Sequence, residues 1–282
     1  AFCGLFGLKP TYGRLPRTAT FPFCDSLDHL GPMARSAADL ALAYDAMQGW
    51  DAGDPACVDR PPAPVGASLT STTPGLRVAR LGGYFRGQGA PETDEAADRC
   101  ATALGAGEEM EIAEAAEARA AAFVITNVEG AALHIDTVRA RADDFDPAVR
   151  DRLIAGALMP GVHYVRAQRF RRAFQERLRQ VFATVDILVA PATPMAAPPI
   201  GQQTWLINGE EVPLRPNIGI YTQPISFIGL PVVAVPVHQQ GAMPLGVQLI
   251  APAWREDLAL RAAAFLETAG IAAAPVATGA KR

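Results

Sequence analysis

Two rhythms of apolar and polar residues alternate along this 282-residue chain. Short apolar runs of strand length stand at Leu76 to Gly82, Ile187 to Ala190, Val232 to Val237 and Gly246 to Ala251, the last two joined by a polar loop through Gly241. Segments at helical spacing lie between and around them. Leu40, Ala41, Tyr44 and Met47 form one stripe, with Ser36 as N-cap, Asp39 completing a capping box and Gly49 as the stop. Pro91 opens a helix to about Leu104, and Glu109 to Ile112 follows as a short strand. With the strand before it, this makes a β-α-β unit, which favours parallel pairing. Ala113 to about Arg141 is Ala-rich and helical; Asp146 and Pro147 then supply the N-cap and first position of another helix. Pro160-Gly161 breaks that helix before an Arg-rich one to about Thr184, and Glu256 to Thr268 closes the chain. The opening stretch, broken by Gly4, Gly7, Pro10, Gly13 and Pro16, predicts a tight, turn-rich path. Asp51 to Pro74 reads as a surface excursion. The pattern predicts an α/β fold. Its sheet is mixed and partly parallel, helices flank it, and a helical region at 113–184 is inserted within a single domain of residues 1–282.

Composition narrows the function. Half of the residues are hydrophobic, enough for a sizeable core, and the formal charge of −4 argues against a nucleic-acid or membrane-surface protein. No signal peptide and no membrane-length apolar run is visible, and the non-Met start leads us to expect a processed or partial product. Cys3, Cys24, Cys57 and Cys100 have neither CxxC nor Cys/His spacing, so we expect four reduced thiols in the cytoplasm and no metal.

Candidate chemistry is sparse. GxSxG, HExxH and P-loop motifs are absent. Ser26 and Ser36 have no neighbouring His or Lys to take a proton, and Ser36 is better explained as a cap. The Arg-rich helix says more. At about 100° per residue, Tyr164, Ala167, Phe170, Phe174, Leu178, Val181 and Phe182 share one apolar arc. Arg166, Arg169, Arg172, Arg177 and Arg179 fall outside it, but Arg171 points into it. A buried arginine needs a carboxylate, carbonyls or a ligand anion. Arg171 is therefore either a structural or snorkelling residue, or a planar clamp for a substrate carboxylate. Asn217, Tyr221 and Gln223 place hydrogen-bonding groups among apolar neighbours, the make-up either of loop and helix-end hydrogen bonding or of a small-molecule pocket. Asn127, Glu129 and His134 on the Ala-rich helix could also face a pocket, although a lone His on such a helix is more often structural. Asp28 and Arg35 read as a scaffold ion pair, and His163 and His238 have no suggestive neighbours.

Four segments appear in a telling order. They are AFCGLFGLKPTYGRLP (1–16) with LDHLGPMARSAAD (27–39), VDILVAPATP (185–194), FIGLPVVAVP (227–236) and PLGVQLIAP (244–252). Together they resemble the amidase signature family, which hydrolyses C–N bonds with a Ser–cis-Ser–Lys triad. The resemblance implies an α/β/α fold with no cofactor and no metal. It also implies that the nucleophile falls upstream of Ala1, so no catalytic residue is assigned, the N-terminal catalytic part is expected to be missing, and 282 residues alone are expected to be inactive. Lys9 lies in the family's Lys-Pro-Thr segment, which is not the catalytic lysine's motif.

Within the family, LGGYFRGQGAPE (81–92) and IYTQPISFIGLP (220–231) are most similar to the 1-carboxybiuret hydrolases of cyanuric-acid breakdown. That similarity implies a cytoplasmic hydrolase releasing ammonia from a small carboxylated urea derivative, with a small helical partner subunit; a homo-oligomer is also open. Arg171 follows Ala167-Gln168, where an arginine of the amidase-like component of the tRNA-dependent amidotransferases binds the amide donor's carboxylate. Those proteins carry an aspartate before the Thr-x-Pro element, where this chain has Asn217, Ile218 and Gly219. Two alternatives remain: a transamidase component of the glutamyl-tRNA amidotransferase type, and a non-catalytic pseudo-amidase that binds a ligand or partner.

Overall fold

The computed structural model of the chain describes residues 1–66, 69, 75–207, 209–238 and 241–276. Its strands are β1 (Phe6–Lys9), β2 (Met33–Ala34), β3 (Val78–Leu81), β4 (Glu109–Met110), β5 (Ile187–Pro191), β6 (Thr204–Ile207), β7 (Glu210–Pro213), β8 (Val232–Val237) and β9 (Leu245–Ile250). Among the described residues, seven strands form one sheet in the order β2-β1-β8-β9-β5-β3-β4, and β6 pairs with β7 in a separate hairpin. β3 runs parallel to β4 and to β5, whereas the β5–β9, β9–β8, β8–β1 and β1–β2 pairs are antiparallel. The sheet is thus mixed and partly parallel, as the apolar rhythm predicts.

β5 and β9 are buried along their whole length. Strands covered on both faces need no polar alternation, which is why they read as unbroken apolar runs. Their side chains still alternate between faces. Val189 and Val247 join one core with Leu40, Tyr44, Val235 and Leu260, while Leu188 and Ile250 join the other with Ile125, Phe174 and Leu178. Helices α1 (Ala37–Met47), α2 (Pro91–Ala103) and α8 (Glu256–Thr268) contribute to the first core; α3 (Ala115–Ala140) and α5 (Gly161–Val181) contribute to the second. Each fully buried Leu or Val contributes about 1.5–3 kcal/mol, so these two layers dominate the stability.

Local signals place the helix ends. Ser36 Oγ accepts the Asp39 amide at 3.0 Å and starts α1. Asp146 Oδ1 accepts the Ala148 amide at 2.9 Å, with Pro147 opening α4 (Pro147–Ala157). α4 lies tightly on α3: a Cβ at Gly156 would stand 1.9 Å from the Asn127 carbonyl oxygen. Ala167, Arg171, Phe174 and Leu178 form the buried stripe of α5, the arc that its spacing predicts. Two short helices, α6 (Leu214–Asn217) and α7 (Gln223–Ser226), precede β8.

Several expectations change. The excursion after Asp51 is anchored, because Asp54, Cys57 and Val65 are buried; positions 67, 68 and 70–74 lie outside the described residues. The same holds for part of the loop before Gly241. The β6–β7 hairpin has no strong apolar signal, since its strands are only partly buried. α5 ends at Val181, three residues early. Asp28 and Arg35 form no ion pair: Asp28 Oδ2 accepts the amides of Phe23 and Cys24 at 2.6 and 2.8 Å, and Arg35 is exposed. A carboxylate beside free amides of its own loop is satisfied there before a flexible surface arginine can reach it. Among the described residues, no helix is long and apolar enough to cross a membrane. Cys24, Cys57 and Cys100 are buried and Cys3 is exposed, all as free thiols.

Candidate functional site

The densest polar cluster joins the loop at 23–28 to α3 and α5. The loop is shaped by its own backbone: the amides of Leu27 and Asp28 both donate to the Cys24 carbonyl, at 3.0 and 2.8 Å. This turns Cys24 and Ser26 towards Glu129 on α3. Glu129 accepts from the Ser26 amide (2.9 Å), Ser26 Oγ (2.7 Å), Cys24 Sγ (3.1 Å), Tyr164 Oη (2.8 Å) and Gln168 Nε2 (3.2 Å). Burial pushes this carboxyl up, but the bonds from Ser26, Cys24 and Tyr164 outweigh it and hold Glu129 below its ordinary range. Burial, together with the bond to Glu129, pushes both the Cys24 thiol and the Tyr164 phenol up. Cys24 is therefore an inert, protonated donor.

Arg171 reaches the same loop from α5. Its Nη1 donates to Ser26 Oγ at 3.0 Å and its Nη2 to the Ser26 carbonyl at 2.7 Å. Ser26 Oγ thus bridges cation and anion, accepting from Arg171 and donating to Glu129. Burial lowers the arginine's pKa, and Glu129 acts against that. The remaining edge is different. Nε is buried and has no partner, although Arg171 is only 9% exposed. Arg171 lines a cavity of about 620 Å³ together with Tyr12, Tyr164, Gln168 and Gln175. The geometry divides the guanidinium: one edge holds the scaffold, and the Nε edge has donors to spare.

Tyr12 also lines a second cavity of about 690 Å³, with Arg17, Asp25, Ser26 and Asp54. Its hydroxyl donates to the Asp25 carbonyl at 2.7 Å, and the Arg17 guanidinium sits 5.4 Å from its ring centre. Arg17 is held by Asp54 through its amide, Nε and Nη2, at 2.9, 3.0 and 3.0 Å. Arg17 beside it pulls the Asp54 carboxyl down to about 2. This pair is buried at the cavity wall and ties the 51–57 segment to the opening loop.

The other residues singled out by sequence sit elsewhere. Arg119 on α3 gathers two of them, donating to Gln223 Oε1 at 3.0 Å and Asn217 Oδ1 at 2.7 Å. Tyr221 is fully buried; its hydroxyl accepts the Gln88 amide at 3.0 Å and its carbonyl accepts Gln248 Nε2 at 2.9 Å. None of the three lines the cavity beside Arg171. Their neighbours Thr222 and Ser226 line a third cavity, of about 340 Å³, with Lys9, His29 and Gln248. A Cβ at Gly219 would come within 3.2 Å of Gln223 Cγ, so an acidic side chain there would press on this segment. Asn127 accepts from Arg152, and His134 contacts the Pro22 carbonyl at 2.8 Å while stacking on Phe21. Lys9 is half-buried and donates to the Leu230 and Pro10 carbonyls, and its loss of solvent lowers its pKa to about 7.

Sequence reasoning missed the company of Ser26. It sought a His or Lys nearby in the chain, whereas Glu129 and Arg171 arrive from 103 and 145 residues away. Glu129 is held ionised below its ordinary pKa, which makes it a weak base, so this serine is a bridge and not an activated nucleophile. Arg119 carried a faint signal, a lone arginine four residues before Phe123, over whose ring it lies at 5.3 Å.

Comparison with known proteins gives a consistent result. The family model described as Amidase matches residues 1–260. The chain is 49% identical over 274 residues to AtzE, a component of the 1-carboxybiuret hydrolase of Pseudomonas sp. (strain ADP), covering 96% of this chain and 60% of that protein. It is 33% identical over 290 residues to the A-type component of the glutamyl-tRNA(Gln) amidotransferase of Roseiflexus sp. (strain RS-1), covering 93% and 58%. A solved structure described as "An unexpected vestigial protein complex reveals the evolutionary origins of an s-triazine catabolic enzyme" superposes with a TM-score of 0.94 at 49% identity, covering 98% of this chain and 61% of that one. The structure of 6-aminohexanoate cyclic dimer hydrolase complexed with substrate follows the same fold, with a TM-score of 0.77 at 25% identity, 95% and 61% covered. The chain spans about 60% of the length of the curated relatives it matches.

Proposed function

Because the chain belongs to the amidase signature family, we propose that it serves in a hydrolase that cleaves a C–N bond of a small carboxylated amide or urea derivative, of the 1-carboxybiuret type, with release of ammonia. The observation that carries this reading is the buried Arg171, which lines a 620 Å³ cavity and whose enclosed Nε has no partner. A carboxylate in that cavity would be drawn to the guanidinium, which a small shift of the side chain would open to a charge-assisted, two-point bond. The relative at 49% identity supports the substrate class.

The helices of residues 113–184 would then form one wall of the pocket within a single domain. Asn217, Tyr221 and Gln223 would hold the segment that presents Thr222 and Ser226 to the neighbouring cavity. Gly219, where an acid would be needed for an α-ammonium group, favours a hydrolase over a transamidase that takes an amino-acid donor. No residue of this chain is assigned as the nucleophile. We place the protein in the cytoplasm, where its four free thiols stay reduced, and expect a small helical accessory subunit; the related structure described as a complex supports the latter.

The test is ammonia release by the enzyme that carries this sequence. Arg171→Lys should raise KM for a carboxylated amide by about tenfold or more and leave a neutral amide of the same size little changed, since lysine cannot reproduce the planar fork. Equal losses on both substrates would make Arg171 a purely scaffolding residue.

A further inference from the structure

We infer that Gln168 is a specificity-determining residue, whose amide oxygen accepts a hydrogen bond from an un-ionised N–H beside the carboxylate of the ligand. This deepens the reading above, in which a singly carboxylated amide or urea derivative occupies the cavity lined by Arg171, and it rests on that reading. Tyr164, Gln168, Arg171 and Gln175 recur on α5 at alternating spacings of four and three residues, and all of them line the cavity. At about 100° per residue they fall within an arc of about 60°. Gln168 and Arg171 are neighbours across one turn of the helix, so one short ligand can touch both.

The surroundings dictate how the Gln168 amide is turned. An ionised carboxylate only accepts, so Glu129 must face the nitrogen, and Nε2 lies 3.2 Å from its Oε1. The second hydrogen goes to Tyr164 Oη at 3.0 Å, whose own hydrogen is committed to Glu129 at 2.8 Å. Both amide hydrogens are spent, and the polar group that Gln168 has left to offer is Oε1. That oxygen has no partner among the described residues and, unlike Arg171 Nε, it is not enclosed. Gln175 is exposed and held only by one bond from Nε2 to the Ile228 carbonyl, at 3.1 Å, so its oxygen is not fixed in the same way. Eight residues line the cavity, three of them arginines and none an acid. An ammonium group would find no counter-charge there. A neutral N–H meets an acceptor already in place, and a ligand lacking that N–H leaves the acceptor unpaired.

Calorimetric titration of the protein with N-acetylglycine and levulinate tests this. Each ligand carries one carboxylate, and they differ only in an N–H against a methylene group. N-acetylglycine should bind about three- to tenfold more tightly, the worth of one hydrogen bond. Gln168→Met keeps the length of the side chain and removes the acceptor, so the two ligands should then bind within about a factor of two of each other. A thermal melt checks the fold of the variant, and the first comparison needs no variant at all. A merely structural Gln168 would weaken both ligands alike and leave their ratio intact. A ratio near one in the unsubstituted protein, or a ratio that survives Gln168→Met, overturns the role of Gln168. Failure of both ligands to bind at about 10 mM, or binding indifferent to Arg171→Lys, overturns instead the reading of the cavity on which that role rests.

Discussion

Glu129→Gln is the sharpest probe of the cluster that holds the opening loop to α3 and α5. The substitution keeps the shape but removes the charge that five donors converge on, and it takes away the carboxylate that faces Arg171 through the neutral Ser26. Breaking a buried ion pair costs about 3–5 kcal/mol. Glu129 is only half-buried, so solvent screening reduces this to about 2–4 kcal/mol. For 282 residues the unfolding entropy is roughly 0.6 kcal/mol per degree, which puts the expected loss in Tm at about 3–7 °C. The pH dependence gives a second check. The folded carboxyl lies below its ordinary value of 4.5, so the unfolded chain takes up the proton first. The stabilisation is whole above 4.5 and is lost as pH falls through the folded value. Melting both proteins from pH 7 downwards should therefore show the gap closing below 4.5. A gap under about 1 °C at pH 7, or one that acid leaves unchanged, would refute a charged Glu129 as the hub of this site.

Three further outcomes follow from the geometry. Asp54→Asn should lower stability by about 1–3 kcal/mol at pH 7. That deficit should fade as pH drops from 3.8 towards 2, because Arg17 depresses the folded carboxyl and acid removes the benefit; urea midpoints at both ends of that window decide it. Gly156→Ala should cost about 1–3 kcal/mol or more, since its Cβ meets the Asn127 carbonyl oxygen at 1.9 Å and forces α4 off α3, whereas Gly161→Ala, with nothing within 4 Å, should stay within about 0.5 kcal/mol. Tyr221→Phe removes the acceptor of the half-buried Gln88 amide, so a loss of about 1–3 kcal/mol in denaturant titration is expected with KM for a carboxylated amide unchanged; the converse pattern would place Tyr221 against the ligand.

Much of the fold was legible in the chain because burial imposes a period on local sequence. Strands covered on both faces appear as apolar runs, and the arc of α5 singles out Arg171 as the buried arginine among six. Caps at Ser36 and Asp146 were equally plain, because each satisfies amides within three residues of itself. The β6–β7 hairpin escaped notice since an exposed ribbon leaves little period to read.

The sequence alone thus determined five of the seven strands of the sheet, the longer helices and which arginine of α5 is buried, all consequences of neighbours a few residues apart. Only the tertiary structure decided what that cation meets. Ser26 and Glu129 reach Arg171 across more than a hundred residues, Arg119 draws Asn217 and Gln223 together, and Asp28 turns to its own loop instead of Arg35. Periodicity says which face of an element turns inward. The choice of partner there belongs to the packing, because distant hydrogen-bonding groups compete for each buried charge and the one with the better geometry wins.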